Sequence, residues 1–236
     1  EPVRIESYGR FRHEAAAIDP ATNVAYLTED RPGSCLYRFV PHDRERPFEG
    51  RLQAMRVRGR EANTSRLPAG ARVEIDWVDV HDTASPNDDL RLRARRDGAA
   101  LIARGEGLCF AEGAVHACAT AGGPIEAGQI LRIRDGRDGG TLEVVACSTD
   151  RDVLDMPDNV TVSPAGTLFF TEDGMGDNYV RAIGADGLVF DLARNALSSS
   201  EMCGVCFSPD GGTLFVNIQE DGLTLAISGP FDRLRA

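Results

Sequence analysis

The 236-residue sequence contains no lysine; its 26 basic side chains are all arginine. Schiff-base chemistry, a lysine-bearing P-loop and a serine–lysine pair each need an amine, so all three are excluded. Positive charge is also outnumbered, with 37 acids giving a net charge of −11. That is a poor match to the clustered cations a nucleic-acid surface needs, so no nucleic-acid partner is expected. No apolar run approaches the ~18 residues that cross a bilayer. The chain starts at Glu1 rather than Met, with no basic-then-apolar leader before it, and reads as processed, trimmed or a fragment. Six cysteines (Cys35, Cys109, Cys118, Cys147, Cys203, Cys206) are few for a disulfide scaffold of this length. Cys203 and Cys206 have redox-motif spacing, but no βαβ context surrounds them and no second pair completes a zinc site. The four histidines, His13, His42, His81 and His116, come without a Gly-x-Ser-x-Gly elbow that would make one of them a base. His116, inside a strand-like run, is expected to be packing.

Helical apolar spacing is scarce as well, whereas Gly (25), Pro (12) and short runs of Val, Ile, Leu and Phe are frequent, which points to an all-β chain. Four segments repeat one pattern of apolar strand, tight turn and second apolar strand: 17–30, 108–120, 162–173 and 206–217. The last two are nearly superimposable, and their turn prolines, Pro164 and Pro209, are separated by a spacing within the ~40–50 residues of a β-propeller blade. A further pair of strand-like runs follows each of the first three, at 35–40 and 52–58, 129–134 and 141–146, and 179–183 and 188–192. Apolar residues alternate there with Arg, the pattern of a half-buried strand. Two such hairpins make a four-stranded blade. The expectation is therefore a β-propeller with about four four-stranded blades, at approximately 14–58, 106–147, 158–192 and 201–228, the last one strand short. Residues 59–100 break the period. With Arg-Glu-Ala-Asn-Thr at 60–64, a strand candidate at 73–78 and a polar run at 81–89, they are read as an insertion over one face of the disc.

Chemistry in a propeller gathers where inner-strand ends meet near the axis, and the acids of this chain fall at those ends. Glu14, Glu106, Asp158 with Asn159, and Glu201 precede or open the four inner strands; Glu29 with Asp30, and Glu172 with Asp173, close their partners. A hard cation such as Ca²⁺ takes six to eight oxygens, more than one blade supplies but within reach of a ring of them. Arg104 stands with Glu106 just before the second inner strand.

The stretches 8–20 (Tyr-Gly-Arg-Phe-Arg-His-Glu-Ala-Ala-Ala-Ile-Asp-Pro), 26–31 (Tyr-Leu-Thr-Glu-Asp-Arg), 36–41, 103–107 (Ala-Arg-Gly-Glu-Gly), 157–164 (Pro-Asp-Asn-Val-Thr-Val-Ser-Pro) and 206–219 together carry a resemblance. In this order the chain resembles the PhoX-type alkaline phosphatases and their relatives of unassigned function. The resemblance implies a six-bladed propeller that hydrolyses phosphate monoesters with iron and calcium ions (Fe³⁺ and Ca²⁺), exported to the periplasm or secreted, in most members by a twin-arginine signal. It also implies roles. Glu14 matches an iron-binding glutamate, Arg104 the arginine that contacts substrate phosphate, and Glu106 a calcium-binding glutamate. Glu29, Asp158, Asn159, Glu172 and Glu201 lie in matching loops as metal-ligand candidates.

The chain also departs from the family pattern. The upstream segment with an Asn-His-Glu motif and an iron-binding cysteine in Asn-Cys-Ala-Gly-Gly is not present, and Cys35 is not its counterpart. The expectation is a C-terminal portion, monomeric, that by itself binds metal weakly and turns over little ester. Two alternatives stand beside the phosphatase: a calcium-dependent lactonase or esterase of the gluconolactonase type, and a propeller that binds a partner without catalysis.

Overall fold

The structure, a computed structural model, describes residues 1–59, 63–136, 139–184 and 186–234. The Arg-Glu-Ala opening of the polar stretch at 60–64 lies outside the described residues. Strands dominate and pair with their sequence neighbours. β1 (His13–Ile18), β2 (Ala25–Glu29), β3 (Tyr37–Pro41) and β4 (Gly50–Val57) form an antiparallel meander, as do β6 (Gly105–Ala111), β7 (Ala114–Ala119), β8 (Gln129–Arg134) and β9 (Gly140–Cys147). A third meander contains β10 (Pro157–Val162), β11 (Leu168–Glu172), β12 (Tyr179–Ile183) and β13 (Val189–Arg194). A fourth contains β14 (Met202–Phe207), β15 (Thr213–Ile218) and β16 (Leu223–Ser228). The strands expected at 129–134 and 179–183 coincide with β8 and β12.

The apolar face of each meander is covered by the next one. Leu36, Met55, Val115, Leu131 and Val144 fill the space between the first and second meanders; Ile130, Val160 and Phe170 that between the second and third; Phe169, Val180, Leu214 and Val216 that between the third and fourth. The first strands β1, β6, β10 and β14 touch in succession along one side, each the innermost strand of its sheet. Sheets stacked face to face in sequence order, with first strands adjoining, are the arrangement of a β-propeller.

The segment expected to cover one face of the disc behaves otherwise in part. Its strand β5 (Arg72–Asp79) lies in the sheet, paired antiparallel with β4 on one side and β9 on the other, so the outer edges of the first two meanders are joined. An outer strand presents unpaired amides and carbonyls, and β5 satisfies two such edges at once. The rest of the segment forms a short turn at Thr64–Arg66 and helix α1 (Leu90–Arg96), whose Leu90 and Ala94, one helical turn apart, pack on the first meander. No helix among the described residues is long and apolar enough to cross a membrane.

The joint between the first two meanders is pinned by Asp135, just after β8. Its carboxylate accepts hydrogen bonds from Tyr26 Oη and Trp77 Nε1, each at 2.9 Å, and pairs with the Arg38 guanidinium, which lies 4.5 Å from the Trp77 ring centroid. Every partner of this largely buried acid is a donor, the Gly136 amide at 2.8 Å among them, so neutralising it leaves four donors short of charge. Asp135→Asn is expected to lower stability by about 1–3 kcal/mol, read as a lower urea midpoint at unchanged slope; an unchanged midpoint would show that the network contributes nothing.

Candidate functional site

The four innermost strands share one irregularity. β1, β6, β10 and β14 each carry a bulge at the same register, where two residues oppose one on the partner strand: Glu14 and Ala15 opposite Thr28, Glu106 and Gly107 opposite Cys118, Asp158 and Asn159 opposite Thr171, Gly204 and Val205 opposite Val216. A bulge leaves an extra amide to satisfy and re-aims the side chain it displaces. In two meanders a threonine hydroxyl takes that amide, Thr28 from Ala15 at 3.0 Å and Thr171 from Asn159 at 3.2 Å. The first bulged residue is thus Glu14, Glu106 and Asp158 in three successive meanders. In the fourth it is Gly204, at φ +65°, and Glu201 enters from the preceding loop.

The inner strands approach very closely here. A Cβ on Gly107 would lie 2.6 Å from Asn159 Cα and 2.7 Å from the Asp158 carbonyl oxygen, so only glycine lets β6 and β10 meet. Asn159 continues the contact by accepting a hydrogen bond from the Gly204 amide. The Thr28 and Thr120 hydroxyls donate to the Glu106 and Pro157 carbonyls at 2.5 and 2.6 Å, tying each inner strand to the next sheet.

Arg104 sits at the centre of the acids with a left-handed backbone, φ 54°. Its Nε donates to Asp30 Oδ1 at 2.7 Å and its Nη2 to Glu106 Oε1 at 2.6 Å. Nη1 makes no hydrogen bond among the described residues and is not a buried orphan. The surrounding carboxyls repel one another. Burial, then the charge of Asp30, raises Glu14; burial, then Asp30, Asp158 and Glu14, raises Glu106. Burial, then Glu201, Glu14 and Asp173, pushes Asp158 up to about 7, and burial followed by a hydrogen bond that protonated Glu201 donates to Asp173 raises Glu201. Arg104 opposes the shift in Glu14, Glu106 and Asp158, so the set senses one shared cation.

The structure therefore brings together Glu14, Glu106, Asp158, Glu201 and Arg104 of the candidates read from the sequence, with Asn159 beside them on β10. Glu29 and Glu172 are placed differently. Each closes the second strand of its sheet and turns into the sheet-to-sheet packing, completely or almost completely buried. Glu29 accepts from Tyr37 Oη at 3.0 Å and faces Arg91 at 3.3 Å; Glu172 faces Arg181 at 3.0 Å and accepts from the Asp155 amide at 2.8 Å. It is their neighbours Asp30 and Asp173 that join the ring. Strand alternation holds the signal: in both Thr-Glu-Asp endings, the Asp shares a side of the strand with the axis-facing Thr and the Glu does not.

Glu172→Ala would strand Arg181, 4% exposed, without its buried partner. A loss of roughly 3 kcal/mol is expected from removing one member of a buried pair, together with unaltered cation affinity, whereas Asp173→Ala should weaken cation binding and leave the melting temperature of the cation-free chain unchanged or raised. Calcium titration by calorimetry beside thermal melts reads both; a Glu172 variant that melts normally but loses calcium would reverse the assignment.

By chemistry the donor set suits a hard cation: it is all oxygen, crowded with like charge, and its protonation is raised by burial first and by the neighbouring carboxyls next. As placed, no three acidic, His or Cys side chains among the described residues come together closely enough to hold a metal ion. A cation bound here would take only part of its shell from these side chains and the rest from backbone carbonyls, water or phosphoryl oxygens.

The family of alkaline phosphatase PhoX matches residues 1–222. The fold is similar to that of Pseudomonas fluorescens PhoX, determined in complex with vanadate, a transition-state analogue, with TM-score 0.75 and 24% identity over 92% of this chain and 50% of that one. The chain thus spans about half the length of that protein. A putative gluconolactonase is similar with TM-score 0.58 and 18% identity, over 96% of this chain and 63% of that one. Regucalcin of Agrobacterium tumefaciens, a calcium-binding protein, is similar with TM-score 0.53 and 14% identity, over 98% and 58%. At these identities the likenesses establish the propeller fold. No curated protein gave a significant match.

Proposed function

The chain belongs to the alkaline phosphatase PhoX family, and we propose on that footing that it forms the phosphate-binding part of a cation-dependent phosphomonoesterase. The observation behind this reading is Arg104, fixed by Asp30 and Glu106 through two of its nitrogens with the third left over for a ligand oxygen. A guanidinium oriented in advance binds a phosphoryl oxygen without paying for its own ordering. Glu14, Glu106, Asp158 and Glu201 are the proposed carboxylate ligands for calcium or iron, with Asp30 and Asp173 holding Arg104 and Glu201 in place. Asn159 keeps β10 against β14, and its amide belongs to the same group. Bound there, a hard cation would polarise the phosphoryl group and offset charge building on its oxygens. Glu29 and Glu172 support the sheets beneath. The six-bladed ring and the export of the protein belong to the same proposal. Free thiols suit it, since burial raises Cys35, Cys109 and Cys118 and keeps them unreactive.

Hydrolysis of p-nitrophenyl phosphate with added Ca²⁺ and Fe³⁺ tests the proposal, with a sugar lactone in parallel. Cation-dependent phosphate binding, with little ester turnover by this chain alone, is the expected result; lactone hydrolysis without phosphate binding would move the assignment to the gluconolactonase type.

A further inference from the structure

A cavity of about 710 Å³ opens beside Arg104. Its lining includes Ser65 and Arg66 of the short turn with Leu67, beside them Leu101, Ala103 and Ala121, and Arg104. We propose that this cavity is the leaving-group subsite, taking the alcohol portion of a phosphate monoester, uncharged and about the size of one sugar. The proposal rests on the phosphatase reading above.

Three features of the cavity set the class of ligand. Arg104 belongs both to the acid ring and to the cavity lining, so a phosphate held at its free nitrogen would extend its ester oxygen toward these walls. Leu67, Leu101, Ala103 and Ala121 give the lining an apolar portion beside the polar Asn63 and Ser65, and none of its described residues is an aromatic ring or histidine on which a nucleobase could stack. Arg66 and Glu126, both exposed in the lining, supply one charge of each sign, which adds no net attraction for a second charged group. Capacity agrees, since small-molecule sites span roughly 300–1,000 Å³.

The cavity is also built rather than incidental. Gln129, completely buried on β8, donates through Nε2 to the Leu67 carbonyl at 2.8 Å and the Thr64 carbonyl at 3.3 Å. The Thr64 hydroxyl donates to the Leu101 carbonyl at 2.7 Å, and Asn63 bridges to Leu101 through the backbone. The turn is thereby bonded to Leu101 on one side and to Gln129 on the other, so this part of the lining is fixed in advance, which lowers the ordering cost of binding.

The test is calorimetric titration of the whole chain in Ca²⁺ with inorganic phosphate, glucose 6-phosphate and adenosine 5′-monophosphate. Glucose 6-phosphate is expected to bind about tenfold more tightly than inorganic phosphate, as ~50–60 Å² of buried apolar surface would give, and the nucleotide no more tightly than the sugar phosphate. Ala121→Phe, which fills the cavity while its backbone hydrogen bond to Ala103 persists, should erase that difference and leave inorganic phosphate affinity within about twofold. Pro124→Phe, on the exposed rim, repeats the test should the first variant misfold. Equal affinity for phosphate and sugar phosphate in the unmodified chain, or equal losses for both in the variants, overturns the subsite alone. No response to any phosphate compound in Ca²⁺ overturns the phosphatase reading and the subsite with it.

Discussion

Replacing Arg104 with alanine is expected to lower phosphate-ester turnover by about 10²–10³-fold, the usual cost of removing one preorganised donor from a charge-stabilising site. The same variant should lose affinity for inorganic phosphate. Arg104 occupies a left-handed backbone position, φ 54°, which alanine tolerates poorly and glycine well. Arg104→Gly separates the two effects: it relieves the backbone and still lacks the guanidinium, so its turnover should match that of the alanine variant while its melting temperature is higher. Arg104→Lys should recover little, since an ammonium cannot satisfy Asp30 and Glu106 through one rigid fork and keep a third nitrogen for the ligand. Turnover near the unmodified level in all three variants would remove Arg104 from the site.

Removing divalent cations is expected to abolish phosphate binding altogether. Six carboxyls, from Glu14, Asp30, Glu106, Asp158, Asp173 and Glu201, surround one guanidinium that two of them already occupy. An anion approaching this ring without added cations meets net repulsion. The same crowding sets a pH dependence. The folded chain raises Asp158 to about 7, and raises Glu106 and Glu201 in the same direction, so above the ordinary carboxylate range the folded state holds protons that the unfolded state has released. Stability of the cation-free chain is therefore fullest at acidic pH and falls as pH rises through about 7. Protons and Ca²⁺ compete for these oxygens, so added Ca²⁺ should raise the melting temperature near pH 8 by about 5–10 °C at a hundredfold excess over its dissociation constant, and hardly at all near pH 5. Parallel melting curves with and without Ca²⁺ at both pH values would sink the cation site.

The sheets were legible because alternation is a local property: Gln-Ile-Leu-Arg-Ile-Arg and Tyr-Val-Arg-Ala-Ile announce β8 and β12 without reference to the rest of the chain. The acids at the inner-strand starts were legible for the same reason, each standing at a repeated place. What the pattern left open was direction. Glu29 and Asp30 are adjacent, and only the side of the strand decides that one supports Tyr37 and Arg91 while the other holds Arg104. The bulges were hidden altogether, because a bulge is a relation between two strands and neither strand shows it alone. Helix α1 was obscured by its own sequence: Leu-Arg-Leu-Arg-Ala-Arg-Arg alternates like a strand, yet Leu90 and Ala94, four apart, are the side chains that find the core. Strand β5 was visible as a strand but not as the link between two sheets, since its partners β4 and β9 lie on either side of it in the chain.

One acid per meander makes the ring a mechanical device. Glu14, Glu106 and Asp158 are each fixed to a different meander, the first two joined through β5 at their outer edges, so a ligand that draws their oxygens together acts as a clasp across two wedge-shaped seams. Linkage is reciprocal: whatever loosens a seam weakens the clasp by the same free energy that closing the clasp lends to the seam. The seam between β6 and β10, narrow enough to demand glycine at 107, is where such breathing would be most strongly damped.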